Sequence, residues 1–263
     1  MKNTKVIAIA NQKGGVGKTT TAVNLGAALG MKGYKVLLID LDPQGNLSSY
    51  LGYEYSEDQI TITELMLSVV HNSFFDIYKS ICNSEANHVD YIPADINLSS
   101  AELFLAQALS RETVLKRILI KENLEYDYII IDCLPSLGIL LMNALAAADS
   151  LIVPVQAQKF ALDGINLLLD VTQQMQQTLN PQLKLAGVVV TMTDNTNMSK
   201  AVIKQLKHQF NDKLFSTHIS KSVSATYSTY TEKALVLYKN KLGQEYKSLA
   251  NEIAVSYTHL TLP

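Results

Sequence analysis

Five short apolar runs constrain this chain more than any other feature: Lys5 to Ala10 (KVIAIA), Lys35 to Ile39 (KVLLI), Tyr128 to Ile131 (YIII), Ser150 to Val155 (SLIVPV) and Leu185 to Thr191 (LAGVVVT). They are rich in β-branched residues and continuous rather than alternating, the mark of strands buried on both faces. Patterns of helical period separate them: Thr19 to Lys32, Ser99 to Asn123, Gly138 to Ala148, Ala161 to Thr178, Ser199 to Asn211, and a last one from Lys233 to Ala254. Strands alternating with helices predict an α/β fold, a doubly wound, mostly parallel sheet with helices on both faces. With 263 residues and neither repeat nor linker, a single domain is expected.

The first strand runs into 13-KGGVGKTT-20, which then opens a helix. That context makes the stretch a phosphate-binding loop, and the fold a P-loop NTPase. Glycines Gly14, Gly15 and Gly17, with Val16 between, let successive backbone N–H groups approach phosphate, and the helix N-terminus adds partial positive charge. Lys18 is placed to neutralise phosphate oxygens, Thr19 to ligate Mg²⁺ through its hydroxyl, and Thr20 to extend the cradle. The usual first glycine of such a loop would stand at position 12, which here is Gln12, followed by a second lysine, Lys13.

A metal-bound triphosphate also needs carboxylates at the ends of neighbouring strands. VLLIDLDPQGN supplies Asp40 and Asp42, and YIIIDCLPSLG supplies Asp132. Apolar residues followed by an aspartate form the arrangement that holds Mg²⁺ or its water shell.

From about residue 4 to 254 the chain resembles the ParA/Soj-type partition ATPases, members of the deviant Walker A family that includes MinD. The resemblance rests on KGGVGKTT, VLLIDLDPQGN, IPADINLSSAE, DCLPSLG and PVQAQKFALDGINLLL. It implies slow, Mg²⁺-dependent ATP hydrolysis by a homodimer assembled on ATP. Lys13 resembles the signature lysine that crosses the dimer interface to the partner's nucleotide, where a cation would stabilise charge building on the phosphoryl oxygens. Asp42 matches the carboxylate that positions the attacking water, with Asp40 and Asp132 nearer the magnesium. A base pocket is implied around Met192 and Ser220, the latter where relatives usually carry proline. Further partners implied are nonspecific DNA and a ParB-like centromere-binding protein, with a cytoplasmic, nucleoid-associated location.

Charge is distributed unevenly. Residues 1–196 carry 13 Lys and Arg against 20 Asp and Glu, whereas residues 197–247 carry 9 against 3. An acidic body with a basic late segment suits a polyanion on one face. The arginines expected there from the resemblance are missing, since 193-TDNTN-197 and 220-SKSVSATYSTY-230 contain none. Lysines can replace them: Lys200, Lys204 and Lys207 share one face of a helix, and Lys221 and Lys233 add to the candidate DNA-binding set.

The alternative is a MinD-like membrane-surface ATPase ending in a basic amphipathic helix. Against it, Leu242, Tyr246, Leu249 and Ile253 come with few cations and read as core-facing, so no membrane partner is expected. A metabolic ligase or a nitrogenase-type reductase is weaker, because Cys82 and Cys133 lack cluster-ligand spacing and no substrate motif appears. Two such thiols suit a reducing compartment and structural roles. The ATPase domain is taken as residues 1–255. The closing VSYTHLTLP continues no periodic pattern and resembles a translated sequencing adapter, so residues 256–263 are read as a non-native tail.

Overall fold

The computed structural model describes residues 4–56, 58–73, 75–121, 124–158 and 161–259. Seven strands form one sheet: β1 (Lys5–Ile9), β2 (Val36–Leu41), β3 (Cys82–Ser84), β4 (Val89–Ile92), β5 (Tyr128–Cys133), β6 (Ser150–Gln156) and β7 (Lys184–Thr191). Their spatial order is β3-β4-β2-β5-β1-β6-β7, parallel throughout except for the antiparallel edge pair β3–β4. All five apolar runs are strands, each within two residues of its expected ends. Residues of β2 and β5 are buried along their whole length, as the unbroken apolar pattern requires.

Pleating divides the core in two. Ile7, Ile9, Leu38 and Ile130 face a layer made by α1 (Lys18–Gly30) and α10 (Lys241–His259). Ala8, Ile39, Ile131 and Val153 face the opposite layer, which includes α3 (Ile62–Val70), α5 (Val114–Lys121), α6 (Ile139–Ala147), α7 (Ala161–Thr178) and α8 (Asn197–Phe210). Because Asp40 and Asp132 continue the even-numbered series of their strands, both project on the α1 side, under the phosphate loop.

Two helices differ from expectation. The pattern from Ser99 to Asn123 is not one helix but a 3₁₀ turn (Ile96–Ser100), α4 (Ala101–Leu105), a second 3₁₀ turn (Arg111–Thr113) and α5. Ser110 adopts φ 52°, which no helix accommodates, and Asn143 of α6 restarts the chain by accepting from Leu115 N–H at 3.0 Å. Its amide also donates to the Arg111 carbonyl at 2.9 Å. The expected end at Asn123 lies outside the described residues. The last helix begins at Lys241 rather than Lys233, because Asn240 caps it by accepting from Gly243 N–H at 2.7 Å. It continues beyond Ala254 to His259, so the start of the closing stretch is helical. Leu242, Tyr246, Leu249 and Ile253 are all at most 3% exposed and pack on α1, as their spacing suggested.

Candidate nucleotide site

The loop between β1 and α1 forms where the sheet ends. Gly15 and Gly17 take φ +70° and +87°, left-handed conformations that let the loop curl around its own N–H groups. A Cβ built at Gly14 or Gly15 would meet nothing within 4 Å, so the mouth of the loop is open. The floor is anchored from β7, where Thr191 Oγ1 donates to the Val16 carbonyl at 2.8 Å.

The two lysines of the loop go to different places. Lys18 is 7% exposed and turns inward, its Nζ donating to the Lys13 carbonyl at 3.3 Å. Burial lowers its pKa, and the neighbouring Asp132, Cys133 and Asp42 oppose that shift. Lys13 is exposed, and its Nζ reaches out to Gln158 Oε1 at 3.3 Å in the segment following β6. Its N–H is held by Asn11 Oδ1 at 2.9 Å, a contact the motif reading missed.

Asp40 and Asp132 are paired in register across β2 and β5. Asp40 is fully engaged: Oδ2 accepts from Ser48 N–H at 2.9 Å and from Ser48 Oγ at 2.7 Å, and Oδ1 accepts from Asp42 N–H at 3.2 Å. Burial pushes its pKa up to about 6 despite those bonds. Asp132 is 1% exposed, with neither oxygen in an ordinary hydrogen bond. Its pKa is raised well above the carboxylate range by burial and then by Asp40, while the Thr19 hydroxyl and Lys18 act in the opposite direction. A buried carboxylate with no donor nearer than the Thr19 hydroxyl is costly unless something else completes it. Together with the Thr19 hydroxyl at the mouth of an open loop, it fits a hard divalent cation that takes most of its oxygens from water and phosphate. No group of three or more His, Cys, Asp or Glu that could hold a metal unaided occurs among the described residues. Asp42 lies 8% exposed beyond the pair, Oδ1 accepting from Gln44 N–H at 3.0 Å, one oxygen fewer in use than Asp40.

An AAA domain family matches residues 4–185. The sporulation initiation inhibitor protein Soj of Bacillus subtilis (strain 168) is 42% identical over 255 residues, covering 96% of this chain and 99% of Soj. The chromosome partitioning protein ParA of Caulobacter vibrioides (strain NA1000 / CB15N) is 40% identical, with 95% of this chain and 93% of ParA covered. The chain belongs to the ParA/Soj family of chromosome-partitioning ATPases. In structure it is similar to cobyrinic acid a,c-diamide synthase from Mycobacterium smegmatis with bound ADP and magnesium, at TM-score 0.84 and 34% identity over 97% of this chain and 96% of that one.

The edge of this ParA/Soj-family site is built from β7 and the segment after α8. Met192 follows β7 with φ 52°, and Thr193 bridges to Ser220, its N–H donating to the Ile219 carbonyl at 3.0 Å. The two segments named as the base pocket are therefore adjacent, and Thr191 links them to the loop. Ser220 is turned to α10: its N–H and Oγ both donate to Glu245, at 2.7 and 2.6 Å. A proline at 220 could offer neither donor.

The lysine stripe is present and solvent-facing. Lys200, Lys204 and Lys207 are exposed on α8 opposite its buried Val202, Leu206 and Phe210, and Lys207 Nζ also donates to the Asn211 carbonyl at 3.0 Å. Lys221 joins that end of the molecule, because its N–H donates to the Thr193 carbonyl at 2.9 Å and its charge helps hold Asp194 low, after the bonds from Thr196. Lys233 stands apart, beyond α9 (Ser224–Tyr230), with its Nζ 5.6 Å from the centre of the Tyr238 ring.

Proposed function

We propose that this chain is an ATP-dependent dimerising switch for partition of a plasmid, chromosome or mobile element, binding nonspecific DNA in its ATP state and releasing it after hydrolysis. The observation carrying the proposal is the divergence of the two loop lysines, Lys18 buried toward Asp132 and Asp42, and Lys13 exposed outside its own cradle. A cation displayed on the surface beside an open phosphate loop has a natural task in the pocket of a second copy.

In this reading Gly14 to Thr20 hold the triphosphate, and Lys18 neutralises its terminal oxygens. Thr19 and Asp132 would hold Mg²⁺, which would supply neutralisation of phosphate charge. Asp42 orients the attacking water. Asp40, saturated by Ser48, keeps β2 and the start of α2 (Asn46–Tyr50) in place. Met192 and the backbone near Ser220 border the base. The α8 lysines with Lys221 form the DNA face, Lys233 contributing at a separate point, and a ParB-like protein stimulates release. The ATPase unit is residues 1–255, with 256–263 a foreign tail, and the protein acts in the cytoplasm on the nucleoid. Support for DNA over a lipid surface comes from α10, whose large apolar side chains are spent on α1.

Size-exclusion chromatography with ATP, ADP or no nucleotide tests the proposal. Lys18→Ala should abolish ATP binding, whereas Lys13→Ala should bind ATP and fail to dimerise. Normal ATP-dependent dimers of Lys13→Ala would refute it.

A further inference from the structure

Asn11 is 4% exposed, and both ends of its carboxamide are in use. Nδ2 donates to the Pro154 carbonyl of β6 at 2.7 Å, and Oδ1 accepts from Lys13 N–H at 2.9 Å. The first bond replaces a missing rung. The backbone ladder between β1 and β6 ends with Ala10 N–H on the Ile152 carbonyl at 3.2 Å, and the next outward carbonyl, Pro154, is taken by a side chain instead. The second bond closes a turn of side-chain oxygen to the N–H two residues on, which fixes the backbone at Gln12.

The Lys13 peptide is thus gripped on both sides, its N–H by Asn11 and its carbonyl by the Lys18 ammonium at 3.3 Å. With the backbone fixed, the Cα–Cβ bond of Lys13 has one exit, away from the cradle and over the segment after β6, where Nζ meets Gln158. Gly164 of α7 covers the amide closely enough that an added Cβ would stand 3.9 Å from Oδ1. A donor and an acceptor are needed at once, at this reach, on a side chain that is itself buried. Aspartate lacks the donor when ionised, and serine lacks the length.

We infer that Asn11 is a positioning residue for Lys13: it couples the end of β6 to the direction in which that lysine leaves the loop, and acts on dimer assembly and turnover without touching nucleotide. The inference rests on the reading that Lys13 serves a partner's pocket.

The test compares Asn11→Ala, Asn11→Asp and Lys13→Ala for binding of a fluorescent ATP analogue by the protomer, ATP-dependent dimer fraction, kcat and KM. Misdirecting a reacting group by about an ångström costs up to about 100-fold, so Asn11→Ala should lose roughly 10- to 100-fold in kcat with ATP affinity and KM little changed. Asn11→Asp keeps the acceptor and loses the donor at neutral pH, so its turnover relative to the native protein should recover as acidification protonates the new carboxyl. The double variant Lys13→Ala/Asn11→Ala should be no worse than Lys13→Ala, since both changes remove one function. Native dimerisation and kcat in Asn11→Asp at neutral pH would overturn the inference, as would a parallel loss of ATP affinity in Asn11→Ala or an additive loss in the double variant. Should Asn11→Ala not fold, the pH response of Asn11→Asp decides alone. If Lys13→Ala itself dimerises and turns over normally, the dimer reading fails, an outcome recognisable whatever Asn11 does.

Discussion

Asp40 and Asp132 face each other in register across β2 and β5, yet Asp40 accepts three hydrogen bonds while both oxygens of Asp132 lack one. The sequence treats the two alike, and their hydrogen bonding does not. Asp40→Asn should cost about 1–3 kcal/mol of stability, because the Ser48 N–H and hydroxyl lose a charged acceptor. Asp132→Asn should leave the response of the melting temperature to ATP in EDTA unchanged and remove the extra rise produced by Mg²⁺. Thermal shift with ATP, with and without Mg²⁺, separates the two. A full Mg²⁺ increment in Asp132→Asn would transfer the metal to other ligands.

Much of the fold and of the candidate site was legible in the sequence, but not this difference, and the limits have physical causes. Loop, strands and candidate carboxylates follow from local rules, since glycine at positive φ and unbroken β-branched runs leave few alternatives. The edge strands β3 and β4 escaped because CNS and VDYI are too short and too polar to stand out. The break at Ser110 is written 33 residues away in Asn143, and the difference in bonding between Asp40 and Asp132 in Ser48. Asn11 and Thr191 escaped for a similar reason, as their partners are a carbonyl of another strand and one of the loop. Tertiary hydrogen bonds of this kind leave no periodic trace.

The segment from Ser216 to Ser220 is held to α10 by two glutamates, Glu245 and Glu252, which predicts acid sensitivity. Glu252 accepts from Ser216 N–H at 2.9 Å, from Thr217 N–H at 2.8 Å and from the Thr217 hydroxyl. Burial would raise its pKa, but these donors outweigh it and hold the carboxyl below its ordinary value of 4.5. A depressed folded pKa contributes stability that is complete above the unfolded value and is lost as pH falls through the folded one. Glu252→Gln should therefore lower stability at neutral pH and flatten the loss seen below about pH 4.5 in chemical denaturation. An unchanged acid limb would show that the clamp does not form.

Gly30 closes α1 where the helix meets the turn before β4. A Cβ there would lie 2.1 Å from the His88 carbonyl oxygen, and His88 itself takes φ 57°, leaving that backbone little room to retreat. Alanine in a helix is worth up to about 1 kcal/mol over glycine. Overpacking costs about 1–3 kcal/mol, so the clash wins and Gly30→Ala should be net destabilising. At about 2–4 °C per kcal/mol for a chain of this size, the melting temperature should fall by several degrees, while ATP affinity at low temperature stays native. A stabilised variant would mean that the His88 turn moves freely.

The lysines of α8 and Lys221 make the DNA reading quantitative. Each phosphate contact contributes about 0.9 to the slope of log affinity against log salt, because it releases condensed counterions. Replacing Lys200, Lys204 and Lys207 by glutamate should lower affinity for nonspecific duplex and reduce that slope by up to about 2.7, if each contacts one phosphate. All three are exposed opposite the buried Val202, Leu206 and Phe210, so the fold and ATP-dependent dimerisation should persist. Lys233 provides the internal comparison, since it sits over Tyr238 beyond α9, and its reversal alone should alter the slope by no more than one contact. A native salt slope in the triple variant, measured by fluorescence anisotropy with ATP present, would place the DNA face elsewhere on the molecule.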